Sequence, residues 1–148
     1  MSQNISFFNS LELNNVVLTP HPKEASRLLG VDVEKILSDS TKYALLLARK
    51  FKATIVLKLH RTIVATPFGD IYVNTSGNNA MAKAGSGDVL TGMISGFIAQ
   101  GLDLYNACVT AVYLHGLSGD IARDNLTEYS VMANDIINFI PEAIKQIK

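Results

Sequence analysis

The sequence predicts a layered α/β domain with a mainly parallel sheet, and three observations indicate this class. The segment Val16 to Pro20 is a short apolar run that ends at a proline, as strands often do. The segment Ala53 to Leu59 is rich in Ile and Val without polar alternation, which is typical of a strand buried on both faces in a parallel sheet. The sequence between these two predicted strands has the apolar periodicity of helices. We therefore expect one α/β domain over residues 1–148.

Two helices are predicted between these strands. Pro22 suits the first turn of a helix, and Gly30 is placed to end it. From Val33 to Phe51 the apolar residues recur every three or four positions, which predicts a second amphipathic helix with a charged, solvated side.

A hairpin and three helices are predicted for the rest of the chain. The strands are 62–66 and 71–74, around a turn that contains Pro67 and Gly69. The helices are 88–100, 104–124 and 134–147. Gly92 and Gly96 weaken the first of these helices, and we expect close packing against the second helix to explain them.

The composition excludes several classes of function. The 13 Lys and Arg balance the 13 Asp and Glu and form no basic stripe, so nucleic acid is not an expected partner. No apolar run has the length of a membrane span, and the amino terminus does not resemble a signal peptide, so we expect a cytoplasmic protein without membrane contact. Cys108 is the single cysteine, and we interpret it as a buried, inert thiol.

The strongest chemical signal is the turn Gly85-Ser86-Gly87-Asp88 at the start of a helix. Glycines allow the backbone to approach an anion closely, and a helix start offers unpaired N–H groups and the positive end of a dipole. Asp88 adds a carboxylate that could accept a proton from a hydroxyl during phosphoryl transfer. An ordinary loop with an acidic residue at the helix start is the alternative.

Two further segments are candidate binding loops. His21 stands between two prolines at a strand end, where open α/β folds bind ligands, although an incidental histidine in a turn is equally compatible. The connection from Lys58 to Thr62 offers cations and a hydroxyl to a nucleotide, with a solvated loop as the alternative. His115 lies in an apolar helix and is interpreted as a core or interface histidine. The remaining acidic residues form no metal-ligand pattern, so a protein metal site is not expected, and Mg²⁺ would arrive with phosphates.

Several motifs occur together in an order that resembles one enzyme family. The sequence is similar to the carboxyl-terminal part of the ADP- or ATP-dependent NAD(P)H-hydrate dehydratases, which belong to the ribokinase-like superfamily. The resemblance runs from about Val16 to the end and depends on motifs in order rather than on any one of them. These motifs are Thr19 to Glu24, Lys58 to Thr62, Ala65 to Pro67, Asn74 to Asn78, Ala80 to Ala82, Gly85 to Gly92 and Tyr113 to Gly116.

The resemblance implies a repair reaction and a set of site residues. Hydrated NADH or NADPH would be restored by phosphorylation of its hydroxyl, at the expense of ADP or ATP with Mg²⁺, followed by loss of phosphate. In that family pattern His21 contacts the hydrated dinucleotide, and Asp88 meets the hydroxyl as acceptor or base. The N–H groups around Gly85 and Gly87 stabilise the transferring phosphoryl group. The residues implied for the adenine nucleotide are Lys58, Leu59, His60, Arg61, Thr62, Asn78 and Gly87.

The resemblance also implies that the chain corresponds to the carboxyl-terminal half of the usual ribokinase-like α/β/α domain, because family members are roughly twice as long. One apolar edge of the sheet would then be unpaired, so we expect a homo-oligomer or association through that edge. Two other functions stay open. One is a ribokinase-like kinase acting on a small molecule, and the other is a non-catalytic, truncated nucleotide-binding domain.

Overall fold

A computed structural model describes residues 15–147 of the chain. The chain forms two compact units, one ending at Val73 and the other beginning at Asn74. The interpretation of residues 1–148 as a single domain stays a prediction. None of the helices among the described residues is long and apolar enough to span a membrane.

The first unit contains four strands and three helices. In chain order they are β1 (Val17–Leu18), α1 (Pro22–Leu29), α2 (Val33–Ser38), α3 (Ser40–Phe51), β2 (Thr54–Leu57), β3 (Ile63–Ala65) and β4 (Ile71–Val73). The strand order in the sheet is the same as the order in the chain. β1 pairs with β2 in parallel, whereas β2 with β3 and β3 with β4 are antiparallel.

The sheet of the described residues is therefore mixed, which corrects the expectation of a mainly parallel sheet. The reason is the length of the connections. β1 and β2 are joined through three helices, which leaves room for a parallel crossover, whereas short loops join β2 to β3 and β3 to β4. β2 itself is buried along its whole length, as its apolar sequence predicts. The predicted hairpin is confirmed by β3 and β4.

The helix predicted from Val33 to Phe51 is in fact two helices, α2 and α3. Asp39 lies between them with φ −148° and ψ 66°, which is outside the helical region. Its carboxylate accepts a hydrogen bond from the N–H of Lys42 at 3.2 Å and so caps α3. The Ser40 hydroxyl donates to the Ile36 carbonyl at 2.9 Å, near the end of α2. The apolar period continues across the break because both helices pack on one core.

That core belongs to the first unit and holds α1, α2 and α3 against the strands. Gly30 ends α1 with φ 71°, a left-handed conformation that glycine adopts without strain, as predicted. The buried side chains are Leu18, Ala25, Leu28, Ile36, Ala44, Leu47, Ala48, Phe51, Ala53, Ile55, Leu57, Ile63 and Ala65.

The second unit is helical, and the three predicted helices are confirmed with shifted ends. They are α4 (Ser86–Ala99), α5 (Leu104–Asn125) and α6 (Ala133–Gln146), preceded by a short 3₁₀ turn (Asn79–Met81). α5 packs against both α4 and α6. It carries many of the unit's buried residues, including Cys108, Leu114 and His115.

The expected packing role of Gly92 and Gly96 is wrong. Within the described residues, a Cβ added at either position would meet no atom within 4 Å. The close approach is made instead by Gly116 and Gly119 on α5, where an added Cβ would collide with Ser76 and Met81 respectively. The segment that follows β4 therefore lies directly on the backbone of α5.

Candidate active site

Gly85 gives the turn before α4 its shape. It has φ 88° and ψ −18°, a left-handed conformation that strains any residue with a side chain. A Cβ added there would also come within 3.2 Å of the Ala133 Cβ at the start of α6. Both observations favour glycine at this position.

Some backbone N–H groups of the turn donate a hydrogen bond to another described residue, and others do not. The N–H of Ser86 donates to Lys83 O at 3.3 Å, and the N–H groups of Asp88 and Val89 both donate to Gly85 O at 3.0 Å. Among the described residues, the N–H groups of Gly85 and Gly87 have no hydrogen-bond partner. Two unpaired donors at a helix start, with no Cβ to shield them, are suited to an anion.

Asp88 places a free carboxylate beside these donors. It is exposed, and no donor among the described residues contacts its oxygens. A carboxylate that has no protein partner is available to accept a proton or a hydrogen bond from a ligand. The predicted anion site and the predicted base therefore lie within one turn of chain.

His115 contacts this turn from α5. Its Nε2 lies 3.0 Å from the carbonyl oxygen of Ser86 and 3.4 Å from the Ser86 hydroxyl. Burial lowers the pKa of His115 to about 4, although the bond to the Ser86 backbone opposes that shift. The interpretation as a core histidine is confirmed, but its contact with the glycine turn was missed. A histidine within an apolar helical sequence is expected to be buried, but the sequence does not indicate its hydrogen-bond partner, which lies 29 residues away.

The loop that precedes the turn is fastened to α5 by polar contacts. Asp120 accepts hydrogen bonds from the N–H of Gly77 and from the side-chain amide of Asn78, each at 2.8 Å. The same amide also donates to Gly119 O at 3.0 Å. The hydroxyl of Ser76 donates to Tyr113 O at 2.8 Å.

These contacts bear on the predicted nucleotide role of Asn78. Its carbonyl oxygen accepts from the N–H of Ala80 at 2.9 Å and caps the 3₁₀ turn, so both ends of the amide are engaged. What remains for a ligand is one lone pair on that oxygen. The role of Asn78 in positioning the loop, and that of Asp120 with it, was not evident from the sequence because both depend on contacts across more than 40 residues.

In the first unit, His21 caps helix α1. Its Nδ1 accepts from the N–H of Glu24 at 3.2 Å, and the Glu24 carboxylate accepts from the N–H of His21 at 2.8 Å. This reciprocal pair is a capping box with histidine in the usual place of Ser or Thr. The Nε2 lies 3.6 Å from the Glu24 carboxylate on a half-exposed side chain, so it is the atom available to a ligand.

The segment Lys58 to Thr62 begins beside His21. The N–H of Lys58 donates to Pro20 O at 2.9 Å, which extends the parallel pairing of β1 and β2 to the residue before His21. His60 and Arg61 are exposed, whereas Leu59 packs against the core of this unit. The hydroxyl of Thr62 donates to Leu59 O at 3.2 Å and closes the turn. The carboxyl ends of β1 and β2 thus bring His21 and this segment to the same edge of the sheet.

The predicted residues therefore form two groups, each within one unit. His21 and Lys58 to Thr62 lie at strand ends of the first unit, and Asn78 with Gly85 to Asp88 lies along α5 in the second. The described residues contain no group of three or more His, Cys, Asp or Glu side chains that could hold a metal ion.

Comparison with known proteins gives consistent results. A family model described as NAD(P)H-hydrate dehydratase matches residues 1–142. The chain is 44% identical over 133 residues to a bifunctional NAD(P)H-hydrate repair enzyme of Moorella thermoacetica. The matched region makes up 90% of this chain and 25% of that protein.

Solved structures give the same fold. The chain matches an ADP/ATP-dependent NAD(P)H-hydrate dehydratase from Bacillus subtilis, co-crystallized with ATP/Mg²⁺, with a TM-score of 0.86 and 38% identity over 90% of this chain and 48% of that one. A ribokinase-like superfamily protein from Enterococcus faecalis matches with a TM-score of 0.77 and 36% identity, covering 97% of this chain and 50% of the other. The ribokinase-like α/β fold is thereby confirmed. The chain spans about half or less of the length of these proteins.

Proposed function

Because the chain belongs to the NAD(P)H-hydrate dehydratase family, we propose that it contributes to the nucleotide-dependent dehydration of hydrated NADH or NADPH. The observation that carries the proposal is the turn at the start of α4. Among the described residues, the N–H groups of Gly85 and Gly87 have no partner there, and neither has the adjacent carboxylate of Asp88. An anion site and a base in one turn suit phosphoryl transfer to a hydroxyl.

The chemistry proceeds in two stages. The hydroxyl oxygen of the hydrate forms a bond to the terminal phosphorus of ADP or ATP, the bond from that phosphorus to the leaving nucleotide breaks, and Asp88 takes the hydroxyl proton. The N–H groups of Gly85 and Gly87 stabilise the charge on the phosphoryl oxygens. In the second stage the C–O bond breaks, its electron pair leaves with phosphate, and an adjacent ring carbon loses a proton to restore the double bond.

The remaining predicted residues bind rather than react. The half-exposed Nε2 of His21 is suited to a polar contact with the hydrated dinucleotide. The half-buried Lys58 and the exposed Arg61 carry positive charge suited to the phosphates of the adenine nucleotide. Mg²⁺ would neutralise those phosphates, and it would be held by them, since the described residues offer no cluster of protein ligands.

We also propose that the chain associates through the outer edge of β1. Among the described strands β1 pairs only with β2, so its other edge presents backbone donors and acceptors to a further strand. We expect a second copy of the chain to pair with this edge. We also propose a cytoplasmic location. Sedimentation at several concentrations tests the association, and a monomer at all of them would contradict it.

The test of the activity follows the absorbance band of reduced nicotinamide. The purified chain is mixed with hydrated NADH and Mg²⁺, with ADP, with ATP or with neither. Recovery of the band only when nucleotide is present is the expected result. The matched control is Asp88→Asn, which keeps the shape of the side chain and removes the base, and we expect it to lower turnover about 100-fold or more with little change in nucleotide affinity.

Other outcomes distinguish the alternatives. Nucleotide binding without recovery of the band would contradict dehydration and favour a non-catalytic nucleotide-binding domain. Transfer of phosphate to another small hydroxyl compound, without recovery of the band, would favour a ribokinase-like kinase.

A further inference from the structure

His115 and the glycine turn are connected through one peptide group. The Nε2 of His115 lies 3.0 Å from the carbonyl oxygen of Ser86. That carbonyl belongs to the same peptide plane as the N–H of Gly87, because a peptide unit joins the C=O of one residue to the N–H of the next. The two groups point in opposite directions across a rigid trans plane. A hydrogen bond that holds the carbonyl therefore also sets the direction of the N–H.

The N–H of Gly87, whose direction is set in this way, is one of the two N–H groups of the turn that have no partner among the described residues. Its neighbours are held within the turn itself, since the N–H groups of Ser86 and Asp88 donate to Lys83 O and Gly85 O. Gly87 has no side chain that could keep a ligand away from its N–H. The carbonyl of this peptide is held by the first turn of α4, where the Leu90 N–H pairs with it, and by His115 from α5. The N–H of the same peptide is open to a ligand.

The protonation of His115 matches this arrangement. A carbonyl oxygen can only accept, so Nε2 must carry the ring proton. Burial holds the pKa of the ring at about 4, so the ring is neutral at physiological pH and donates its single proton here. A neutral donor orients the peptide without adding a positive charge beneath the turn.

We propose that His115 is a positioning residue that holds the Ser86–Gly87 peptide so that the Gly87 N–H faces a phosphoryl anion. The inference deepens the proposed function and depends on it only for the identity of that anion. His115 does not touch the reacting atoms. It acts through the peptide plane.

The experiment compares two variants of the full chain. His115→Met keeps an apolar side chain of comparable length without a donor, whereas His115→Gln keeps an amide N–H near the position of Nε2. The matched control is Ser118→Ala on the same helix, because the buried Ser118 hydroxyl donates to Leu114 O within α5 and not to the glycine turn. Thermal unfolding establishes that each variant is folded.

Two readouts are measured. The first is the Gly87 amide resonance in a ¹H–¹⁵N spectrum, which we expect to shift in His115→Met and to return most of the way in His115→Gln. The second is affinity for ADP and for adenosine. We expect His115→Met to bind ADP about tenfold more weakly, as for a lost buried hydrogen bond, and to bind adenosine unchanged, because adenosine has no phosphate.

Each result either supports or overturns the positioning role of His115. A Gly87 resonance that does not respond to His115→Met overturns it, and so does an equal loss of ADP and adenosine binding or an ADP loss that Ser118→Ala reproduces. Failure of the unchanged chain to bind ADP or ATP contradicts the proposed function instead. In that case the Gly87 resonance alone decides whether His115 orients the peptide.

Discussion

The two units of the chain hold their predicted site residues by different means. In the first unit, His21 and Lys58 are placed by backbone pairing and by a helix cap between two residues three positions apart. In the second unit, the loop and the glycine turn are placed by side chains on α5 that reach across 29 to 43 residues of sequence. Hydrogen bonds between backbone groups persist when most side chains are replaced. A contact made by one polar side chain is lost when that residue is replaced. The second unit should therefore be the more sensitive to point changes.

The largest expected effect comes from the pH dependence of His115. Its pKa is about 4 in the folded protein against 6.5 ordinarily. Below pH 6.5 the unfolded chain takes up a proton that the folded chain does not, so the free energy of unfolding falls as the pH drops toward 4 and levels off below it. The contribution is about 3 kcal/mol over that window.

The measurement is chemical unfolding from pH 7 to pH 4 for the unchanged chain and for His115→Met. Carboxylates titrate in the same window in both proteins, so the difference between the two curves isolates His115. We expect the variant to lose less stability on acidification. Parallel curves would show that His115 does not resist protonation in the folded state.

A methyl group at Gly116 is expected to have the next largest effect. Its Cβ would meet the Ser76 hydroxyl and lie 2.7 Å from the Ser76 carbonyl carbon, which is backbone and cannot rotate away. We expect Gly116→Ala to lower the free energy of unfolding by about 1–3 kcal/mol. Gly119→Ala is the matched control, because its Cβ would meet the flexible side chain of Met81. Urea unfolding of both variants tests this, and equal costs at the two positions would refute the distinction.

The corresponding change in the first unit concerns the cap of α1. His21→Ala removes the side-chain acceptor for the N–H of Glu24, and we expect a loss of about 1 kcal/mol. His21→Ser restores an acceptor but not an imidazole. If His21 also binds the hydrated dinucleotide, His21→Ser recovers thermal stability while its KM for the hydrate stays raised. Full recovery of both properties would leave His21 with the capping role alone.

The smallest expected effect is an increase in the free energy of unfolding rather than a decrease. Gly92 lies on α4 with no described atom near its missing Cβ, so Gly92→Ala gains helix propensity without a collision. We expect stabilisation by about 0.5–1 kcal/mol, measured by thermal unfolding. A loss of stability in Gly92→Ala would show that a further surface, such as that of a second copy, packs against this face of α4.

Local signals predicted local structure well. The hairpin around Pro67 and Gly69, the left-handed end of α1 at Gly30 and the three helices after the turn all depend on residues close in sequence. The break at Asp39 was missed because the apolar period runs through it, and only the cap geometry separates α2 from α3.

Long-range contacts could not be predicted in this way. All four helical glycines in question look alike in sequence, yet Gly116 and Gly119 approach other backbone or side-chain atoms while Gly92 and Gly96 do not. The difference depends on which side of a helix meets the segment after β4. The motif predicted a chemical role for Asp88 from residues close in sequence, whereas the contact between the turn and His115 depends on tertiary packing. The assigned ligand roles of the site residues stay predictions.

The buried thiol of Cys108 gives this molecule an internal reporter of its own motions. Burial, aided by the negative charge of Asp103, raises the pKa of that thiol to about 12, so almost none of it is thiolate at neutral pH. A thiol reagent can react with it only when α5 separates from its neighbours. Since Cys108 is the single cysteine of the chain, the rate of its alkylation measures how often the helical unit opens, without any introduced label.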